Sequence, residues 1–409
     1  MGSRTNLDQD NIMTAYYGEL LKTDRQVFET QLEELLQKMA SYYRKTRQGI
    51  IKQQKFMLPI HAKSKGLAQL LVRLWVSAEQ LLKLKSNQFC STTTTVWASF
   101  DPAVLSTPAE LTTWISPEKL GLPFVPPYLE QNMRMGVGSV DLSNIDGMIQ
   151  GVNYASAAAG ILSSSGSELG MHVSLSQQVQ QVEDTYEQLS LALGEAATTD
   201  LFRKSVFFFS IGSNDFIHYY LRNVSGVQMR YLPWEFNQLL VNAMRQEIKN
   251  LYNINVRKVV MMGLPPVGCA PHFLWEYGSQ DGECIDYINN VVIQFNYALR
   301  YMSSEFIRQH PGSMISYCDT FEGSVDILKN RDRYGFLTTT DACCGLGKYG
   351  GLFMCVLPQM ACSDASSHVW WDEFHPTDAV NRILADNVWS GEHTKMCYPV
   401  DLQQMVKLK

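Results

Sequence analysis

The chain has 409 residues, 45% of them hydrophobic and 18% charged, with a net charge of −6. That length holds one large α/β domain or two average ones, and the composition buries a substantial core, which excludes a disordered chain. The mild negative balance gives no electrostatic reason for a nucleic-acid partner, and none is expected.

Residues 8–47 predict a helix, with Phe28, Leu32, Leu35, Leu36, Met39, Tyr42 and Tyr43 on one face at helical spacing. A second helical stretch covers 66–84, carrying Leu67, Leu70, Leu71, Leu74, Val76 and Leu81. Between Arg44 and Lys85 the bases Arg44, Lys45, Arg47, Lys52, Lys55, Lys63, Lys65, Arg73, Lys83 and Lys85 face the single acid Glu79. Basic helices over 44–85 suit a weak membrane-surface contact or a partner helix, and equally an ordinary solvated face. Residues 1–30 are polar, with no continuous apolar stretch of the signal-peptide kind. No run elsewhere reaches the roughly 18 uncharged apolar residues of a membrane span. Thr92–Thr95 reads as a linker. The expected division is a helical segment over 1–97, a second domain over 98–400 and a tail over 401–409.

From about Pro108 the pattern becomes alternating strands and helices. Residues 150–155 read as a short strand ahead of the small-residue loop 156–160, and 175–193 as an amphipathic helix. Val206 to Ile211 is a buried-strand run, 235–251 a helix, and Lys258 to Gly263 the next strand. A long helix over 285–308, a strand over Met314–Cys318 and a last helix over 377–388 behind Pro376 complete the series. Such alternation predicts a parallel sheet with helices on both faces, and sites in such sheets lie beyond the carboxyl ends of the strands.

Three places there can carry chemistry. Asp372-Glu373-Phe374-His375-Pro376 puts an acid three residues ahead of a histidine, where it can fix the imidazole tautomer and stabilise the imidazolium. Pro376 suits the first position of the helix that follows. The same residues also fit an ordinary helix cap beside a surface histidine. Gly212-Ser213-Asn214-Asp215, directly after a strand, offers the Asn214 amide as an oxyanion donor, or is simply a well-suited turn. Gly160 closes a side-chain-poor loop whose backbone N–H can serve as a second donor, or marks close packing.

Taken in order, these three places resemble the second, third and fifth sequence blocks of the SGNH hydrolases. The plant-type GDSL esterase/lipase branch is closer still. Its phrases appear as Leu120-Gly121-Leu122-Pro123, Pro126-Pro127-Tyr128, Gly151-Val152-Asn153-Tyr154-Ala155-Ser156 and Gly263-Leu264-Pro265-Pro266-Val267-Gly268-Cys269. They continue as Phe295-Asn296, Cys343-Cys344-Gly345 and Trp371-Asp372-x-x-His375-Pro376-Thr377, so the resemblance covers roughly 115–400. It implies a secreted α/β hydrolase of carboxylic esters with a flavodoxin-like three-layer sandwich. It implies a small-molecule or lipid ester substrate and no metal or organic cofactor. Carried over by residue, His375 is the general base, Asp372 its orienting acid, and Asn214 and Gly160 the oxyanion donors.

One departure is large. The family's first strand runs into Gly-Asp-Ser, whose serine is the nucleophile, and no Gly-Asp-Ser occurs in this chain. The nearest substitute is Ser99, at the end of the apolar run Val96-Trp97-Ala98. The domain is therefore expected to lack its first strand. Two alternatives to hydrolysis follow: a non-catalytic relative that binds an acyl ester or lipid, and an interaction protein acting through the basic helices.

Cysteine usage points the same way. Eight of nine cysteines fall between Cys269 and Cys397, which predicts disulfides and an oxidising compartment. Adjacent Cys343 and Cys344 lack the spacing that aims two thiolates at one zinc ion. Cys269 with Cys284 is the preferred local pair, because a short loop closes at modest entropic cost. Gly345-x-Gly347-x-x-Gly350 matches a dinucleotide pattern but follows a cysteine pair instead of a strand, so it predicts a disulfide-framed loop. Asn223-Val224-Ser225 is a glycosylation sequon.

Overall fold

The computed structural model describes residues 142–408 except 354, 356 and 357, together with 119, 125 and 127–129. The helices expected over 8–47 and 66–84, the basic stretch 44–85, the linker and Ser99 lie outside the described residues.

Helices α1 (Leu142–Gln150), α2 (Leu175–Leu193) and α3 (Glu195–Lys204) precede the first strand of the described sheet, β1 (Val206–Phe209). All four residues of β1 are buried, as a parallel strand covered on both faces requires. Helix α4 (Pro233–Asn253) follows, started by Pro233 and by Glu235, whose carboxylate accepts the Leu232 N–H at 2.8 Å. Then come β2 (Lys258–Met262), α5 (Pro271–Glu276), α6 (Asp286–Gln309) and β3 (Met314–Cys318). The chain closes with α7 (Thr320–Lys329), β4 (Thr338–Ala342), β5 (His368–Trp370), α8 (Asp378–Ser390), β6 (Cys397–Tyr398) and α9 (Leu402–Lys407).

The main sheet has the order β1-β2-β3-β6. β1 and β2 run parallel with Val206 opposite Lys258, and β2 and β3 run parallel with Lys258 opposite Met314. β6 joins antiparallel, Cys318 opposite Cys397, and those two cysteines form a disulfide. β4 and β5 make a separate two-stranded parallel sheet. Helix α6 buries Ile288, Val291, Val292, Phe295, Leu299, Met302 and Phe306, spaced three and four apart. It packs on β3, and α4 packs against both α6 and α2.

The phrases shared with the family sit where strand ends need holding. Asn296 accepts the Leu264 N–H at 2.8 Å and donates to the Leu264 carbonyl at 2.9 Å, clamping the loop after β2 onto α6. A Cβ on Gly263 would lie 2.5 Å from the Tyr317 hydroxyl, so only glycine fits that strand end. Asn289 accepts the Gly268 N–H further along the same loop, at 2.9 Å.

Four expectations change. Residues 150–155 are no strand: α1 runs to Gln150, and the chain beyond makes a single bridge between Asn153 and Pro127. The Asn153 side chain turns back to accept the Ala155 N–H at 2.9 Å, which ties that N–H to a local partner. If the absent first strand belonged among the inner strands, as the resemblance implies, it would separate the strands at 206 and 258. β1 and β2 instead pair directly, so the open position is the outer edge of β1, which has no partner strand among the described residues. Pro376 is not the first helical residue, because Thr377 is the N-cap and Pro376 bridges to Trp370. Residues 401–409, read as a tail, contain α9, which buries Leu402 and Met405 behind a capping box between Asp401 and Gln404.

Eight cysteines form four disulfides: Cys269–Cys284, Cys318–Cys397, Cys343–Cys362 and Cys344–Cys355. The last two frame the glycine-rich loop at 345–350, as the sequence predicted. No helix among the described residues is long and apolar enough to cross a membrane.

Candidate active site

The loop after β5 is built before the histidine is reached. Trp370 and Trp371 carbonyls accept the N–H groups of Cys343 and Cys344 at 2.9 and 2.7 Å, so two disulfides anchor the backbone just ahead of Asp372. The Trp371 N–H donates to the His375 carbonyl at 2.7 Å, closing a tight turn. Thr377 fixes its far side, donating from its hydroxyl to the His368 carbonyl at 2.7 Å.

Inside that turn His375 Nδ1 lies 2.7 Å from both Asp372 carboxylate oxygens. One of those oxygens also accepts the backbone N–H groups of Phe374 and His375, at 3.0 and 2.8 Å. Burial would raise the Asp372 pKa, but the His375 charge, its hydrogen bond and the two backbone donors reverse that, holding the carboxyl below the usual aspartate range. Burial acts to lower the His375 pKa and is likewise outweighed, by Asp372 first and Glu373 after it, so the imidazole titrates above the usual histidine range. The His375 side chain is 29% exposed against 12% for Asp372. The acid is sealed inside while the ring reaches the surface, with Nε2 unpartnered among the described residues.

The strand-end turn after β1 supplies the second part. Gly212 has φ 128°, and a Cβ there would press on Leu264 and Ile161. Asn214 donates from its side-chain amide to the Ala159 carbonyl at 2.9 Å, which ties it to the loop that holds Gly160. Asp215, fully buried, does most of the tying. Its carboxylate accepts the N–H groups of Ile161 and Leu162 at 2.7 and 2.9 Å and the Ser165 hydroxyl at 2.5 Å. Burial pushes this carboxyl up to about 6 despite those three donors. A Cβ on Gly160 would sit 2.5 Å from Ser165 Cβ and 2.7 Å from Asp215 Oδ2, so the position admits no side chain.

The two parts meet through the π-helical turn Asp215–Tyr220. The His218 ring lies edge-on to Phe374 at 5.8 Å, and the His375 charge acts on His218. Burial, then the positive charges of Arg222, His272 and His375, hold His218 down to about 3, so it is neutral at ordinary pH. His272, from α5, sits 4.8 Å from Phe374 and 3.8 Å from the Glu373 carboxylate. Burial holds His272 down to about 4 and pushes Glu373 up to about 7. Sequence reasoning missed His218, His272 and Glu373 as neighbours of the site. Glu373 lies inside one named motif, without a role assigned to it, and His218 three residues beyond another, but His272 comes from a different helix and nothing in its sequence context marks it. No cluster of His, Cys, Asp or Glu among the described residues is arranged to hold a metal ion.

The parallel-stranded α/β domain has the α/β hydrolase-like fold. The chain is a member of the GDSL-like lipase/acylhydrolase family, whose model matches residues 105–388. It is 36% identical over 294 residues to GDSL esterase/lipase 7 of Arabidopsis thaliana, covering 71% of this chain and 78% of that protein. A second Arabidopsis thaliana GDSL esterase/lipase is 34% identical over 290 residues, covering 71% of this chain and 72% of the relative. A third is 36% identical over 262 residues, covering 64% and 70%. The family assignment carries an α/β hydrolase-like fold and an ester-hydrolase type of function.

Proposed function

We propose that the chain is an SGNH-type site for small-molecule or lipid carboxylic esters in the secretory route, with His375 and Asp372 as its proton-transfer pair. Asn214 and Gly160 are its oxyanion donors. The observation that carries the reading is the two-oxygen contact of Asp372 with His375 Nδ1, which leaves Nε2 without a partner among the described residues. In that tautomer Nε2 takes a proton from the attacking oxygen and returns it to the leaving alcohol, while Asp372 stabilises the imidazolium between the two transfers. The four disulfides support an oxidising compartment.

Turnover is the part that the sequence limits, because no Gly-Asp-Ser places a serine against His375. The pair without its nucleophile retains only the weak catalysis that donors and binding supply. A second reading, retention of an acyl ester without turnover, follows from the same absence: the Asn214 amide gives one N–H to the Ala159 carbonyl and keeps its second to hold an ester oxygen, which needs no nucleophile. Hydrolysis of p-nitrophenyl acetate and butyrate, read beside fluorophosphonate labelling, separates the cases. The expected result is a rate near background and no labelled serine. Rapid turnover and labelling, both abolished by Ser99→Ala, would overturn it and make Ser99 the nucleophile.

A further inference from the structure

We propose that Asn223 carries an N-linked glycan at the rim of the candidate site. Asn223-Val224-Ser225 is the only Asn-x-Ser/Thr sequence in the 409 residues, so the chain has a single acceptor of this kind. The inference goes beyond the ester-hydrolase reading and stands on different observations: this turn and the disulfides that place the chain in an oxidising compartment.

The turn is shaped for it. Asn223 is exposed and sits in the left-handed region at φ 49°, where asparagine is among the few tolerated side chains. Its backbone is fully used, the N–H donating to the Tyr220 carbonyl at 2.9 Å and the carbonyl accepting the Gly226 N–H at 3.0 Å. The side-chain oxygen is used as well, accepting the Gln228 N–H at 2.9 Å. Only the amide nitrogen has no partner among the described residues, and that nitrogen is the atom that takes the sugar. Attachment there replaces one amide N–H by an N–C bond to the sugar, breaks the sugar–oxygen bond of a lipid-pyrophosphate donor, releases the lipid pyrophosphate together with the proton, and leaves every other contact of Asn223 in place.

The position has consequences for the site. The Asn223 N–H bonds to the carbonyl of Tyr220, the last residue of the π-helical turn that carries His218, and the His218 ring meets Phe374 of the Asp372–His375 turn at 5.8 Å, so the glycan stands on the segment that leads from the histidine cluster. A few residues on, Met229, Leu232 and Trp234 are 87%, 56% and 59% exposed. A hydrated glycan on the same loop screens this apolar row from other molecules.

The test directs the full chain through a eukaryotic secretory pathway behind a cleavable leader. Core glycans are added to the nascent chain, so retained and secreted material are equally informative. The expected result is one glycosidase-sensitive mass increment, with Asn223 converted to aspartate on enzymatic release. The increment should vanish in Asn223→Asp, which keeps the oxygen that accepts from Gln228, and in Ser225→Ala, and persist in Ser225→Thr. Unmodified Asn223 in chain whose four disulfides have formed overturns the proposal.

Discussion

Asp372 meets His375 with both oxygens, and the two groups pull each other's titration apart. A histidine raised in the folded state contributes stability that is complete below its unfolded pKa and lost as pH rises through the folded value. An aspartate lowered in the folded state contributes stability present above its unfolded pKa and lost as pH falls through the folded value. The pair's contribution is therefore complete between the unfolded aspartate and unfolded histidine pKa values, and it is lost outward, as pH falls toward the depressed Asp372 titration or rises through the elevated His375 titration. Proton NMR titration should place the His375 ring above the usual histidine range, and Asp372→Asn should bring it down. A His375 titration unchanged by Asp372→Asn would show that the two side chains are not coupled in solution. Base chemistry needs the neutral ring, so any rate that depends on His375 must rise with pH through the same elevated value. Gly160 makes a second prediction at this scale. With Ser165 and Asp215 already within 3 Å of where a Cβ would stand, Gly160→Ala should destabilise the fold by about 1–3 kcal/mol in urea unfolding.

The elements show where the sequence was readable. The strands at 206, 258 and 314 are runs of buried apolar residues and begin where expected, because nothing else buries Val-Phe-Phe-Phe or Lys-Val-Val-Met-Met on two faces. Helices α2, α4, α6 and α8 appear within two residues of the expected spans, since each carries a full apolar stripe. Residues 150–155 misled because an alternating pattern also describes an extended segment whose bonds go to its own side chains. Asp372 and His375 were legible through their spacing on one turn. Asp215 was visible only as a turn residue, although it fastens Gly160 to the end of β1, because its partners lie some fifty residues earlier. Disulfides are the element-scale staples, and their loop lengths rank them. Loop closure assigns about 4.5 kcal/mol to Cys318–Cys397, separated by 79 residues, and about 3 kcal/mol to Cys269–Cys284, separated by 15. The double variant Cys318→Ala/Cys397→Ala should therefore lose more stability than Cys269→Ala/Cys284→Ala. It should also release β6, whose ladder to β3 spans only two residue pairs. Equal losses in denaturant unfolding would show that loop length is not what sets their contributions.

At the scale of the whole molecule the outer edge of β1 decides how the site is completed. Val206–Phe209 is buried and pairs with β2 on one side, and no described strand lies on the other. A buried strand with one unpaired edge leaves N–H and C=O groups in need of partners, and such edges recruit other chains. In the arrangement that the family resemblance implies, that position belongs to the strand ending in Gly-Asp-Ser. A serine there would stand at the carboxyl end of the sheet, on the same side as Asn214, which follows β1 directly. Among the described residues that edge is without a partner strand, and it is where the resemblance puts the strand that carries Gly-Asp-Ser. A chimera carrying a family-type strand with Gly-Asp-Ser ahead of Leu120 should pair in parallel along Val206–Phe209. It should stay monomeric at concentrations where the parent chain associates, as light scattering would show. It should also hydrolyse p-nitrophenyl butyrate, with His375→Ala and Gly-Asp-Ser to Gly-Asp-Ala each returning the rate to the parent's. A chimera that is monomeric, folded and inactive would remove Asp372, His375 and Asn214 from the catalytic role and leave ester binding as the function of the site.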